Sequence, residues 1–153
     1  MGLTRLAAFL QRHRRIAFDT NVFIYQLEAN PQYVDLTSRV FAWLERPDRR
    51  AVTSTITMTE LLVQPYRDFG GRRVDEFYAL LATIPNLDWI APDLEIADTA
   101  ARLRASHRLR TPDALQAATA IRERATGMVT NDAVFERIGA FETLVMDRLV
   151  RSE

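Results

Sequence analysis

The chain contains no cysteine. Disulfides, thiolate zinc sites and cysteine nucleophiles are thereby excluded. It contains no lysine either: all twenty basic residues are arginine. Schiff-base chemistry and the phosphate-binding lysine of P-loops go with it. Two histidines, His13 and His107, are too few for a polyhistidine metal centre. No apolar run approaches the ~20 residues of a membrane span. Met1 to Arg15 has only broken apolar stretches and lacks the form of a secretory signal. These absences predict a soluble, cytoplasmic protein without a membrane partner. Its chemistry must rest on carboxylates, hydroxyls, amides, arginine or a bound metal.

What is present suits one folded domain. The 153 residues are 48% hydrophobic and 26% charged, which is enough apolar material for a core and excludes a disordered chain. Twenty acidic residues balance the twenty arginines, so binding nucleic acid by overall charge is disfavoured while a local basic patch is not. No repeat, low-complexity tract or Gly/Ser linker divides the chain. Leu3, Leu6, Ala7 and Leu10 lie at helical spacing, predicting an amphipathic N-terminal helix. The predicted organisation is therefore a helical extension over 1–14 and one domain over 15–150.

Within that domain, short apolar runs alternate with helical stretches. Strands are predicted at 15–18, 51–54, 87–90, 128–130 and 143–146. Thr57 is a candidate helix cap with Glu60 in capping-box position, and Pro65 is expected to end or kink that helix. Asp93 is expected to cap a helix, Thr111-Pro112 to open the next, and Gly127 to close it. Strands separated by helices indicate βαβ units, a mostly parallel five-stranded sheet and an α/β fold covered on both faces. In such sheets ligands bind beyond the carboxyl ends of the strands.

Four acids are predicted at that edge. Asp19 follows the first strand and Asp132 the fourth. Glu60 and Asp113 sit near the starts of helices that begin at the same edge. Each alone reads as well in structural terms: Asp19 and Asp132 as cap or turn residues, Glu60 as half of a capping box, Asp113 as a helix-start residue. Together they would repel unless protonated or neutralised by a cation. Oxygen-only donors favour Mg²⁺ or Mn²⁺ over zinc. Such ions suit phosphodiester cleavage.

The residues also resemble a known family. Ile-Ala-Phe-Asp19-Thr20-Asn21-Val-Phe-Ile is similar to the opening strand and turn of PIN-domain ribonucleases, in particular VapC-type toxins. Ser54 to Glu60, Arg110-Thr-Pro-Asp113-Ala-Leu and Val129-Thr130-Asn131-Asp132 resemble the three later acidic segments, in order and spacing, across most of the chain. The resemblance implies a three-layer α/β/α endoribonuclease that requires Mg²⁺ or Mn²⁺. It implies that Asp19 and Asp113 are the most direct ligands. Asp132 would act through water or at a second ion, and Glu60 would ligate or orient the attacking water. Asn21, Thr130 and Ser54 would support the acids. It further implies a homodimeric toxin held by a cognate antitoxin protein, with RNA as substrate. The extension over 1–14 departs from the family pattern.

Arg102, Arg104, Arg108 and Arg110 precede Asp113. Arg110 is the candidate RNA contact, against the alternative of a solvated face paired with Asp98 or Glu95. Tyr25, Phe41, Trp43, Phe77 and Tyr78 lie at helical spacing and are expected mostly in the core. Two other classes compete with the nuclease. A PIN-like module that binds RNA or protein without cutting is disfavoured by the complete acid set. An aspartyl phosphatase is disfavoured because Asp19-Thr20-Asn21 is not Asp-x-Asp.

Overall fold

The structure, a computed structural model, describes residues 1–151. Five strands form one sheet: β1 (Arg15–Phe18), β2 (Arg50–Ser54), β3 (Leu87–Ile90), β4 (Gly127–Thr130) and β5 (Glu142–Val145). Their spatial order is β3-β2-β1-β4-β5 and every pairing is parallel. The sequence explains why. All four residues of β4 and the last three of β1 are buried, as expected for central strands covered on both faces. Ala17 pairs with Val52 on one side and Met128 on the other, and Thr130 pairs with Val145, so the carboxyl ends of the strands fall at one edge. From β1 the chain winds one way to β2 and β3, and later the other way to β4 and β5. The reversal lies between β1 and β4 and opens a crevice there.

Alternate residues of each strand serve two cores. Ile16, Phe18, Ala51 and Val129 point to the larger one, with α1 (Gly2–Arg12), α2 (Thr20–Leu27), α3 (Val34–Leu44) and α5 (Gly71–Ala82). Ala17, Val52 and Met128 point to the other, under α6 (Leu94–His107) and α7 (Thr111–Arg122). This is the three-layer α/β/α arrangement. α4 (Thr55–Asp68) begins at the carboxyl edge, and α8 (Met146–Val150) follows β5. The helix α1 is anchored rather than loosely laid on the surface: Leu6 and Phe9 are fully buried, and α1 packs on α3 and α8.

Several boundaries differ from those the sequence predicts. Ser54, not Thr57, caps α4, its hydroxyl accepting from the Ile56 N–H. Glu60 therefore sits in the second turn and forms no capping box. Pro65 does not end the helix, because α4 continues to Asp68. Its missing N–H costs one hydrogen bond near a helix end, while its ring is buried. Arg110, not Thr111, is the residue before α7, so Asp113 is the third helical residue. Gly127 does not close α7: it starts β4. A Cβ there would lie 2.8 Å from Phe9 Cζ, so glycine permits α1 to approach the strand.

Candidate active site

Asp19 is the centre of the crevice. Its N–H donates to the Val129 carbonyl at 3.1 Å, joining the end of β1 to β4. Its carboxylate caps α2, Oδ1 accepting from the Thr20 N–H at 2.8 Å. Oδ2 accepts from the Thr130 hydroxyl at 2.7 Å. The residue is 9% exposed. Burial pushes its pKa from 3.8 up to about 6. The two hydrogen bonds oppose that shift, and the nearby charges of Asp113 and Glu60 add to it.

Asp113 enters from the first turn of α7, where helix dipoles favour an anion. Arg110 Nε donates to its Oδ2 at 3.2 Å. Glu60 projects from α4 and is exposed at its rim. Partial burial raises its pKa, and the charge of Asp113 raises it further. A hydrogen bond from Thr20 and the charge of Arg110 pull it back. Asp19, Glu60 and Asp113 thus come from three separate segments and lie within one another's field.

Asp132 is tied to the same place through Thr130, whose hydroxyl accepts from the Asp132 N–H at 3.0 Å. Its own Oδ1 accepts from the Val134 N–H at 3.0 Å, capping the short 3-10 turn Ala133–Arg137. Asn21 has a buried carbonyl oxygen, Oδ1, without a hydrogen-bond donor. Ser54 is spent on capping α4. Among the cluster of arginines, Arg102 pairs with Asp98 at 2.8 Å and Arg104 Nε donates to the Leu109 carbonyl at 3.0 Å. Arg110 is the one turned to the acids.

Beneath the acids runs a buried polar network that sequence reasoning misses. The Thr57 hydroxyl accepts from Gln116 Nε2 at 2.6 Å and lies 2.7 Å from the Thr53 hydroxyl. The Thr20 hydroxyl, which also reaches Glu60, lies 3.3 Å from that of Thr57. Thr53 donates to the Phe18 carbonyl, and Gln116 Oε1 accepts from the Ser54 N–H. The network fastens α2, α4 and α7 to the ends of β1 and β2, the elements that carry Asp19, Glu60 and Asp113. One signal is legible: Gln116 is a lone amide between the buried alanines 114, 117 and 118.

Whether this donor set suits a divalent cation is a matter of its chemistry. Among the described residues, no group of three or more His, Cys, Asp or Glu side chains is already placed to hold a metal ion. All four acids have internal partners: Asp19 accepts from Thr20 and Thr130, Glu60 from Thr20 and Asp132 from the Val134 N–H, and of the four only Asp113 is in an ion pair. The character of the site nevertheless fits a hard cation: all donors are oxygen, and three carboxylates lie in one another's field with a single guanidinium beside two of them, Asp113 and Glu60.

Comparison with known proteins agrees with the architecture. The model of the PIN domain family matches residues 16–140. The chain belongs to the PIN domain family. A chain of a toxin–antitoxin complex from Klebsiella pneumoniae superposes with a TM-score of 0.65 at 23% identity, over 86% of this chain and 97% of that one. A chain of VapBC-1 from nontypeable Haemophilus influenzae gives a TM-score of 0.66 at 18% identity, over 87% and 98%. A chain of FitAcB from Neisseria gonorrhoeae gives 0.64 at 19%, over 86% and 97%. At these identities the likeness is one of fold. No curated protein matches.

Proposed function

We propose that the protein is a Mg²⁺- or Mn²⁺-dependent endoribonuclease and the toxin of a toxin–antitoxin pair. The observation that carries the reading is the meeting of Asp19, Glu60 and Asp113 at the topological switch point, with buried Asp19 left short of positive charge. Asp19 and Asp113 would hold the cation, with Glu60 and Asp132 completing its surroundings. A bound divalent cation supplies Lewis-acid polarisation of a phosphate and eases deprotonation of water. Thr130 and the Thr20 N–H fix the orientation of Asp19. Glu60, exposed at the rim with a raised pKa, is positioned to accept the proton of the attacking water. Arg110 is positioned to meet a phosphate, and arginine suits bidentate contacts of that kind.

The assignment of partner proteins draws on the Klebsiella pneumoniae relative, a chain of a toxin–antitoxin complex, and on the surface. An apolar groove of about 610 Å³ runs between α4, α5 and β3, with Val63, Tyr66 and Tyr78 exposed in or beside it. A smaller one of about 240 Å³ lies among Phe23, Leu27, Phe41 and Leu80. An antitoxin segment and a second copy of the chain are the occupants we assign to such surfaces. Trp43, by contrast, is core, 3% exposed. No helix among the described residues is long and apolar enough to cross a membrane.

The test is RNA cleavage by the purified protein, free of any partner, with Mg²⁺, with Mn²⁺ and with EDTA. Cleavage should require the cation, and Asp19→Asn and Asp113→Asn should abolish it in folded protein. Full activity in either variant refutes the assignment. Binding of RNA without cleavage under any cation would favour the non-cutting module instead.

A further inference from the structure

The segment leading to Asp113 carries a charge that helix electrostatics disfavours. Arg110 is the N-cap residue of the twelve-residue helix α7, and its side chain makes no capping hydrogen bond. A cation at that end opposes the helix dipole. Its guanidinium instead turns to Asp113, Nε 3.2 Å from Oδ2, and its charge also favours the ionised form of Glu60. The two partners differ in freedom: the Arg110 side chain is 79% exposed, that of Asp113 only 14%. The carboxylate is held in place while the arginine head is free to leave. An exposed pair of this kind is weak and exchanges readily.

Charge counting indicates what it would exchange with. Asp19, Glu60 and Asp113 bring three negative charges when ionised, and Arg110 returns one. The net charge left is negative, which a divalent cation would relieve. An ion bound at Asp113 competes with Arg110 for the same oxygen. Once displaced, the guanidinium, 79% exposed, would remain near the acids and be free to meet a phosphate. Of the four arginines just before Asp113, Arg110 alone makes a contact with one of the acids; Arg102 pairs with Asp98 and Arg104 closes the end of α6.

We propose that Arg110 is a resident counterion of the acidic cluster, which yields Asp113 to the divalent cation and then engages the RNA phosphate. The proposal rests on the metal-dependent reading above and adds an order of events to it. It makes Arg110 an antagonist of metal binding and an aid to substrate binding, two effects of opposite sign from one side chain.

The experiment is Mn²⁺ titration by calorimetry on the full chain without RNA, at fixed pH and ionic strength, followed by cleavage kinetics at saturating Mn²⁺. Arg110→Gln should bind Mn²⁺ roughly 2- to 5-fold tighter than wild type, the factor an exposed ion pair is worth. It should also raise KM for RNA more than it lowers kcat. Arg110→Lys keeps the charge and should stay near wild type in Mn²⁺ affinity. Arg102→Gln removes an equal charge without touching Asp113 and should leave the affinity unchanged. Arg110→Gln with wild-type or weaker Mn²⁺ affinity overturns the proposal. So does equal tightening in Arg102→Gln, which would reduce the effect to net charge. Wild-type protein that binds Mn²⁺ and cleaves RNA, with Arg110→Gln unchanged in both, sinks this inference and leaves the nuclease reading standing. Wild-type protein that binds no Mn²⁺ sinks both.

Discussion

At the scale of single residues, the site is a set of groups held at some cost to stability. Asp19 is the clearest case. Its pKa is raised from 3.8 to about 6, so the folded state binds the Asp19 proton more tightly than the unfolded state does. The associated stability is present below about pH 4 and is lost as pH rises through about 6. The gap corresponds to about 3 kcal/mol at most, less what Thr130 and Thr20 lose when their acceptor changes. Asp19→Asn should therefore stabilise the protein in EDTA at pH 8, by about 1–2 kcal/mol, and lose that advantage by pH 4. Thermal melts at several pH values in EDTA check this; equal melting of the two proteins at pH 8 would mean that the buried charge carries no such cost. Thr57 behaves in the opposite way. Its hydroxyl is the hub for Gln116, Thr53 and Thr20. Thr57→Val keeps the shape but leaves buried donors unpaired, and should cost about 2–3 kcal/mol in urea unfolding.

At the scale of elements, the N-terminal helix is the instructive one. Its polar end is fastened to β5: Arg12 pairs with Glu142, and the His13 imidazole bridges Glu142 Oε2 and Thr126 Oγ1, each at 2.7 Å. Its apolar side supplies Leu6 and Phe9 to the larger core. Phe9→Ala should cost about 3–5 kcal/mol, the range for losing a buried phenyl ring. A loss below about 1 kcal/mol would mean that α1 adds little to the domain. The ionic fastening is weaker. The Arg12 hydrogen bond holds the Glu142 pKa below 4.5, so its stabilisation is present above that pH and lost as pH falls through the lowered value. The Glu142 side chain is 42% exposed, so solvent screening limits the effect. Glu142→Gln should cost no more than about 1 kcal/mol at neutral pH, and the cost should shrink as acid protonates the wild-type carboxylate, read by denaturant titration at each pH.

For the whole molecule, the sheet order decides where function sits. Winding outward from β1 in both directions leaves the crevice between β1 and β4, and Asp19, Glu60, Asp113 and Asp132 all come from segments that begin at that edge. If the acids hold a divalent cation, ligand linkage stabilises the native state. Mn²⁺ at roughly 100 times its Kd should add about 2.7 kcal/mol to stability, which is several degrees in Tm for a chain of this size. Asp19→Asn and Asp113→Asn should abolish most of that rise. A wild-type Tm indifferent to Mn²⁺ and Mg²⁺ would argue for a site that holds neither.

Much of this molecule is legible in its sequence. Apolar runs of four or five residues, separated by helical periodicity, are read from local chemistry, and they define a parallel α/β sheet with Asp19 directly after its first strand. The positions of Ser54, Glu60 and Asp113 within their helices lie one to three residues from where the sequence pattern puts them. Cap choice depends on which hydroxyl faces a free N–H, and the chain carries Ser54, Thr55 and Thr57 in close succession. Gly127 reads as a helix stop, because its purpose, the approach of Phe9, comes from a helix more than a hundred residues away in the chain. The Thr53–Thr57–Gln116 network and the reach of Arg110 towards Asp113 and Glu60 lie beyond sequence reasoning for the same cause. Hydrogen bonds and charge contacts depend on distances of a few ångströms between segments, and only packing sets those distances.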